Sequence, residues 1–208
     1  MDISAIAALA PVIPVLTVDR VADAVPLARA LVKGGLPVLE ITFRTAAALE
    51  ALGAIACEVP EAVVGAGTVL DEAQVRQAMA AGARFGVSPG CTPALARAVK
   101  EAGLPFLPGV QTVSEAMVLR ELGFGLLKFF PADAAGGTAW LKAATAPLAG
   151  LRFCPTGGVG LGTAPAYLAL PNVACVGGSW VAPREAVAAG DWSRIERLAA
   201  AAAELKRA

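Results

Sequence analysis

At 208 residues the chain is long enough to bury a core without disulfides or metals, and its length suits one domain, 1–208. Its 17 basic and 17 acidic residues balance and form no like-charged block, so there is no electrostatic basis for binding nucleic acid or a membrane surface. Histidine is absent, which excludes a Ser-His-Asp triad, a Cys-His pair and imidazole zinc ligation; acid–base work falls to Asp, Glu, Lys, Tyr, Cys or water.

In chain order, the segment before Pro11 reads as a short helix. It carries Asp2 and no basic residue before Arg20, unlike a secretory leader, and no apolar run approaches the ~18 residues of a membrane span. A cytoplasmic protein is expected. Short apolar runs follow: PVIPVL from Pro11, VLEITF from Val38, AVVGAGTV from Ala62 and RFGVSP from Arg84. PFLPGV from Pro105, LLKFFPA from Leu126, LRFCPTGG from Leu151 and VACVGGSW from Val173 complete the set. Successive runs begin 21 to 27 residues apart, room for a strand, a helix and two tight loops.

The Ala-rich stretches between them carry helix punctuation. Asp71-Glu72 and Thr92-Pro93 open helices, and Thr112 to Glu115 has capping-box spacing. Gly34-Gly35, Gly82, Gly103 and Gly123 close them, and a last helix is expected from Asp191 to the end. Eight apolar strands alternating with helices predict a parallel α/β fold, a (β/α)8 TIM barrel with short N- and C-terminal helices. A doubly wound open sheet is the rival, but no GxGxxG follows the first strand. Cys57, Cys91, Cys154 and Cys175 form no CxxC pair and are expected to be buried thiols.

Barrel chemistry sits at the C-terminal strand ends. In VLEITFR, alternation puts Leu39, Ile41 and Phe43 under helices and Val38, Glu40, Thr42 and Arg44 inside. An inward Glu and Arg are either a buried ion pair or a working carboxylate and an anion-binding guanidinium. Lys128, between two leucines and two phenylalanines, is the second anomaly. Burial disfavours the charged amine and leaves a nucleophile able to attack a carbonyl. Lys33, Lys100, Lys142 and Lys206 fall on helices or their ends. Thr68, Ser88, Pro89, Thr156 and Ser179 lie at other strand ends. Gly157-Gly158 and Gly177-Gly178, leading toward helix starts, are placed to hold phosphate.

EITFRT (40–45), GAGTVL (65–70), SPG (88–90), KFFPA (128–132), RFCPTGG (152–158) and GGSW (177–180) together resemble the 2-keto-3-deoxy-6-phosphogluconate (KDPG) aldolase family, also described as 4-hydroxy-2-oxoglutarate aldolase. The resemblance runs from about Pro14 to Trp180. It implies Lys128 as Schiff-base lysine and Glu40 as general acid/base. It also implies Arg44, Thr68, Pro89 and Thr156 as substrate contacts, with Gly157, Gly158, Gly177, Gly178 and Ser179 around a phosphate. A homotrimer without metal or other cofactor, acting on a phosphorylated 2-keto acid and releasing pyruvate, is implied as well. GVQT (109–112) departs from the family pattern, where GIST or similar is expected. The alternatives are a galactonate-type aldolase, an isomerase or synthase on a phosphate-binding barrel, a sugar-phosphate sensor, and a metal-dependent aldolase.

Overall fold

In the computed structural model, which describes residues 1–207, each of the eight apolar runs contains a strand. They are β1 (Val12–Leu16), β2 (Val38–Thr42), β3 (Val63–Gly67), β4 (Gly86–Val87), β5 (Phe106–Leu107), β6 (Gly109–Val110), β7 (Leu126–Phe129), β8 (Arg152–Pro155) and β9 (Val176–Gly178). The fifth run yields two strands because Pro108 interrupts it: proline has no N–H to give to a ladder.

Helices fill the intervals: α1 (Ile3–Ala8), α2 (Val21–Lys33), α3 (Ala48–Glu58), α4 (Glu72–Ala80) and α5 (Pro93–Ala102). Then come α6 (Val113–Glu121), α7 (Gly137–Ala144), α8 (Ala164–Leu168), α9 (Arg184–Ala188) and α10 (Trp192–Ala203). Their starts follow the local chemistry. Asp71 accepts from the Gln74 amide at 2.8 Å, Thr92 from Leu95 at 3.2 Å and Asp191 from Arg194 at 3.0 Å. Thr112 and Glu115 form the expected reciprocal capping box. One boundary differs from expectation: α10 stops at Ala203 and does not run to the end of the chain. Among the described residues no helix is long and apolar enough to cross a membrane.

All strand pairings are parallel, so this is an α/β protein with helices packed on parallel sheets. One sheet runs β5-β4-β3-β2-β1-β9 and the other β6-β7-β8. Pro108 alone separates β5 from β6, and isolated parallel bridges, Phe153 to Val173 and Thr156 to Gly177, connect the β8 and β9 segments.

Alternation sorts side chains into two buried clusters. Val12, Leu16, Leu39, Ile41, Val64, Leu127 and Phe129 pack with the apolar faces of the helices. Ile13, Val38, Val63, Phe85, Val87, Leu107 and Leu126 form a second cluster on the other face of the strands, together with Ile6 and Ala7 of α1. α1 therefore covers the ends at which β2, β3 and β7 begin. The opposite, C-terminal ends are left to the site. Two of the four cysteines, Cys154 and Cys175, are buried as expected; Cys57 is exposed on α3 and Cys91 half-buried in the loop before α5, so the expectation fails for those two.

Candidate active site

Lys128 and Glu40 meet at the centre. Lys128 Nζ donates to Glu40 Oε1 at 3.2 Å, and their side chains are 4% and 3% exposed. Neither was expected to be the other's partner, since they lie 88 residues apart in sequence. Both occupy inward positions of parallel strands. Glu40 stands opposite Val15 of β1 and Gly65 of β3, and Lys128 opposite Gly109 of β6 and Cys154 of β8. The leucine and phenylalanine next to Lys128 in sequence, Leu127 and Phe129, point outward to the helices. Its aromatic neighbour is Phe130, whose ring centroid is 5.3 Å from Nζ, a cation–π distance. The image of a lysine walled in by apolar side chains is thereby corrected: the amine faces a carboxylate.

Glycine makes this pair possible. A Cβ on Gly67, the last residue of β3, would overlap the Glu40 carboxylate, so the carboxylate occupies the volume where another residue would carry its side chain. Attraction between the two charges offsets part of the desolvation each suffers in the interior. An amine and a carboxylate in hydrogen-bond contact can also pass a proton between them without moving heavy atoms, as general acid–base work requires.

Lys128 opens onto a cavity of about 790 Å³, within the range of small-molecule sites. Of the residues singled out in the sequence, Arg44, Thr156, Gly157, Gly178 and Ser179 line it too. Glu40 is not on the wall; it reaches the cavity through Lys128. Arg44 decides between the two alternatives for the β2 charges. β2 ends at Thr42, so the arginine sits in the following turn, exposed at the mouth, and the buried Glu40–Arg44 pair does not form. Its Nε donates to Thr68 Oγ1 at 3.2 Å, and among the described residues no carboxylate lies within ion-pair distance of it. Thr68 holds this position with φ of 60°, a left-handed conformation that disfavours a β-branched residue and concentrates at functional sites.

Thr156 is buried, and its hydroxyl points where a Cβ on Gly177 would be. Gly157 and Gly158 have φ of 95° and 77°. Their loop is tied down by the Ala132 and Asp133 amides, which donate to Thr156 O at 2.8 Å and Gly157 O at 3.0 Å. The glycine pairs do not lead directly into helices as expected: Gly177-Gly178 end β9 itself, and α8 and α9 begin several residues after each pair. Close packing explains Gly178, where a Cβ would overlap the Trp180 ring. Neither Gly158 nor Gly177 lines the cavity, and neither does Thr68.

Ser88 and Pro89 both lie against Gly109, the first residue of β6. The Ser88 hydroxyl accepts from the Gly109 amide at 3.4 Å, and a Cβ on Gly109 would overlap the Pro89 backbone. The divergent GVQT segment is thus fixed by Gly109 at one end and by the Thr112 cap of α6 at the other. Pro89 is half-buried and off the cavity wall.

Sequence reasoning missed Thr17, Asp19, Arg20, Asp23, Phe130 and Arg184 on the wall. Thr17 follows the inward alternation of β1, and its hydroxyl lies 3.3 Å from that of Thr42. Periodicity could have found it. Arg20 pairs with Asp23 through two hydrogen bonds of 2.8 and 2.7 Å, which hold the guanidinium above its ordinary arginine range. Arg184 pairs with Asp19 at 2.7 Å. Among the described residues no three of Cys, Asp and Glu are gathered to hold a metal ion.

A model of the KDPG and KHG aldolase family matches residues 3–198. The KHG/KDPG aldolase of Escherichia coli K12 is 50% identical over 194 residues, covering 93% of this chain and 91% of that protein. A structure of KDPG aldolase from Legionella pneumophila, with pyruvate captured at low pH as a covalent carbinolamine intermediate, superposes with a TM-score of 0.96 at 45% identity, covering 98% of this chain and 99% of that one. The Zymomonas mobilis ZM4 2-keto-3-deoxy-6-phosphogluconate aldolase with 3-phosphoglycerate also gives 0.96, at 47% identity, covering 100% and 97%.

Proposed function

The chain belongs to the KDPG and KHG aldolase family and is an aldehyde-lyase, and from that membership we propose that it cleaves 2-keto-3-deoxy-6-phosphogluconate into pyruvate and glyceraldehyde 3-phosphate through a Schiff base on Lys128. The observation that carries this reading is the buried Lys128–Glu40 contact of 3.2 Å at the wall of the cavity. It supplies a nucleophile and a proton carrier at one point.

In this reading Glu40 takes a proton from Lys128, and the free amine adds to the C2 ketone. Proton return to the carbinolamine oxygen expels water and leaves a protonated imine. Glu40, acting through a water that enters with the substrate, removes the C4 hydroxyl proton. The C3–C4 electron pair flows into the iminium, giving an enamine and releasing the aldehyde. Protonation at C3 and hydrolysis return pyruvate and the amine. Arg44, free of any carboxylate, fits the planar substrate carboxylate, and Thr68 steadies it. Thr156, on the cavity wall, completes the contacts with the keto-acid end, and Pro89 backs that end through its packing against Gly109. Gly157, Gly178 and Ser179, which line the cavity, hold the phosphate, with Gly158 and Gly177 beside them in the chain; the left-handed backbone at 157 and 158 suits N–H groups turned toward an anion.

The two sheets are read as one closed (β/α)8 barrel in a single domain, β5 and β6 being one strand broken at Pro108. The bridges between the β8 and β9 segments support closure. A cytoplasmic homotrimer is part of the same reading; exposed Met79 of α4 and Met117 and Val118 of α6 offer apolar surface for subunit contact. Cleavage of 4-hydroxy-2-oxoglutarate is a further expectation.

A lactate dehydrogenase-coupled assay tests the reaction. Pyruvate should form from the phosphorylated substrate with wild type and not with Lys128→Ala. Retention of wild-type turnover by Lys128→Ala defeats the mechanism.

A further inference from the structure

The same cavity extends away from Lys128 to a second group of charges, contributed by the β1–α2 loop and α9. Four cations line it: Lys128, Arg44, Arg20 and Arg184. Lys128 is committed to Glu40, and Arg44 to Thr68 and one anionic end of the substrate. Arg20 is gripped by Asp23 through two parallel hydrogen bonds, a fork geometry that resists exchange. Arg184 sits in the more exposed of the two arginine–aspartate pairs on the wall. One hydrogen bond of 2.7 Å, from Nη2 to Asp19 Oδ2, holds it, and the two side chains are 76% and 54% exposed. Water and salt weaken so exposed a contact, and Asp19 offers one negative charge where a phosphate ester offers nearly two.

We propose that Arg184 is a specificity-determining residue that exchanges Asp19 for the phosphate of the substrate, so that the pair across the cavity mouth favours phosphorylated over unphosphorylated hydroxy-keto acids. This rests on the aldolase reading only for the identity of the substrate. The glycine loops contribute neutral N–H donors, and Arg184 adds the full charge that those loops lack. Asp19 holds the guanidinium beside the cavity when no ligand is present and tempers its affinity for stray anions. Arg184 and Asp19 are 165 residues apart, so only the fold brings them together.

Titration calorimetry at low salt, with 3-phosphoglycerate as the probe, compares wild type with Arg184→Gln, Arg184→Lys and Asp19→Asn. The expected result is binding weakened by about ten- to a hundredfold in Arg184→Gln, the worth of one charge-assisted hydrogen bond. Arg184→Lys should recover part of the loss, and Asp19→Asn should tighten binding. In parallel, the ratio of kcat/KM for the phosphorylated substrate to that for 4-hydroxy-2-oxoglutarate should fall in Arg184→Gln. Equal probe affinity in wild type and Arg184→Gln, equal losses in the Gln and Lys variants, or no binding to wild type would each overturn the proposal. A wild type that binds the probe but forms no pyruvate imine sinks the aldolase reading and leaves this one standing.

Discussion

Replacing Lys128 by Met keeps much of the side chain's bulk but leaves the Glu40 carboxylate buried with no cation beside it. Loss of one member of a buried pair typically destabilises by about 3–5 kcal/mol. Lys128→Met should therefore lower stability by that order in urea unfolding, and Lys128→Met/Glu40→Gln should recover most of it, with no turnover in either. Equal stability of the single and double variants would mean that the pair is not coupled. A second residue-scale prediction concerns the thiols. Burial pushes the Cys91 thiol up to about 11, against a hydrogen bond with Ser88 that lowers it, whereas Cys57 is exposed. With Ellman's reagent near pH 8, Cys57 should react first and Cys91 more than about tenfold more slowly, since the thiolate is the reacting form. Comparable rates would contradict the burial of Cys91. Lys128 and Glu40 were each legible as polar residues in apolar strands. Their contact was not, because nothing local links residues on β2 and β7. Parity placed Arg44 inward, and it does reach the cavity wall, but from the turn after β2 ends and not from the strand itself.

The fit of Glu40 depends on β3 as much as on β2. Gly67→Ala places a methyl group in the volume of the Glu40 carboxylate and must displace it. Overpacking of this kind costs about 1–3 kcal/mol, and displacement of an acid–base group by ~1 Å lowers kcat by about a hundredfold. Steady-state kinetics beside a thermal melt would show this, and an unchanged kcat would remove Glu40 from the mechanism. Helix α6 gives a pH prediction. Burial works to raise the Glu115 carboxyl, but hydrogen bonds from the Gln111 and Thr112 amides and from the Thr112 hydroxyl outweigh it and hold the group below its ordinary range. A depressed carboxyl stabilises the fold above its unfolded value of about 4.3, and that contribution disappears as pH falls through the folded value. The stability gap between wild type and Glu115→Gln should thus be full at pH 6 and shrink below about pH 4. A gap independent of pH would contradict the cap's ionic character. Caps were legible because their chemistry spans only three residues. The tight fit of Gly177 against Thr156 was not legible, because the two are far apart in the chain and only the fold brings them together.

Across the whole molecule, the repeat spacing and the absence of a dinucleotide fingerprint were enough to anticipate parallel strands covered by helices. The inner cluster capped by α1 follows from the same alternation. What spacing did not reveal is how the cavity mouth is furnished. Arg20, Asp23, Asp19 and Arg184 look like ordinary surface charges in sequence, and they become wall residues only because the β1–α2 loop and α9 flank one opening. The break at Pro108 was likewise hidden inside an apolar run that reads as a single strand.

The central claim is that one amine, Lys128, bonds to the oxo carbon of the substrate. Incubating the protein with pyruvate and borohydride, then mapping the adduct by peptide mass spectrometry, tests it most directly. A single reduced pyruvyl adduct is expected on the peptide containing Lys128. An adduct on Lys33, Lys100, Lys142 or Lys206, or none at all, would contradict it.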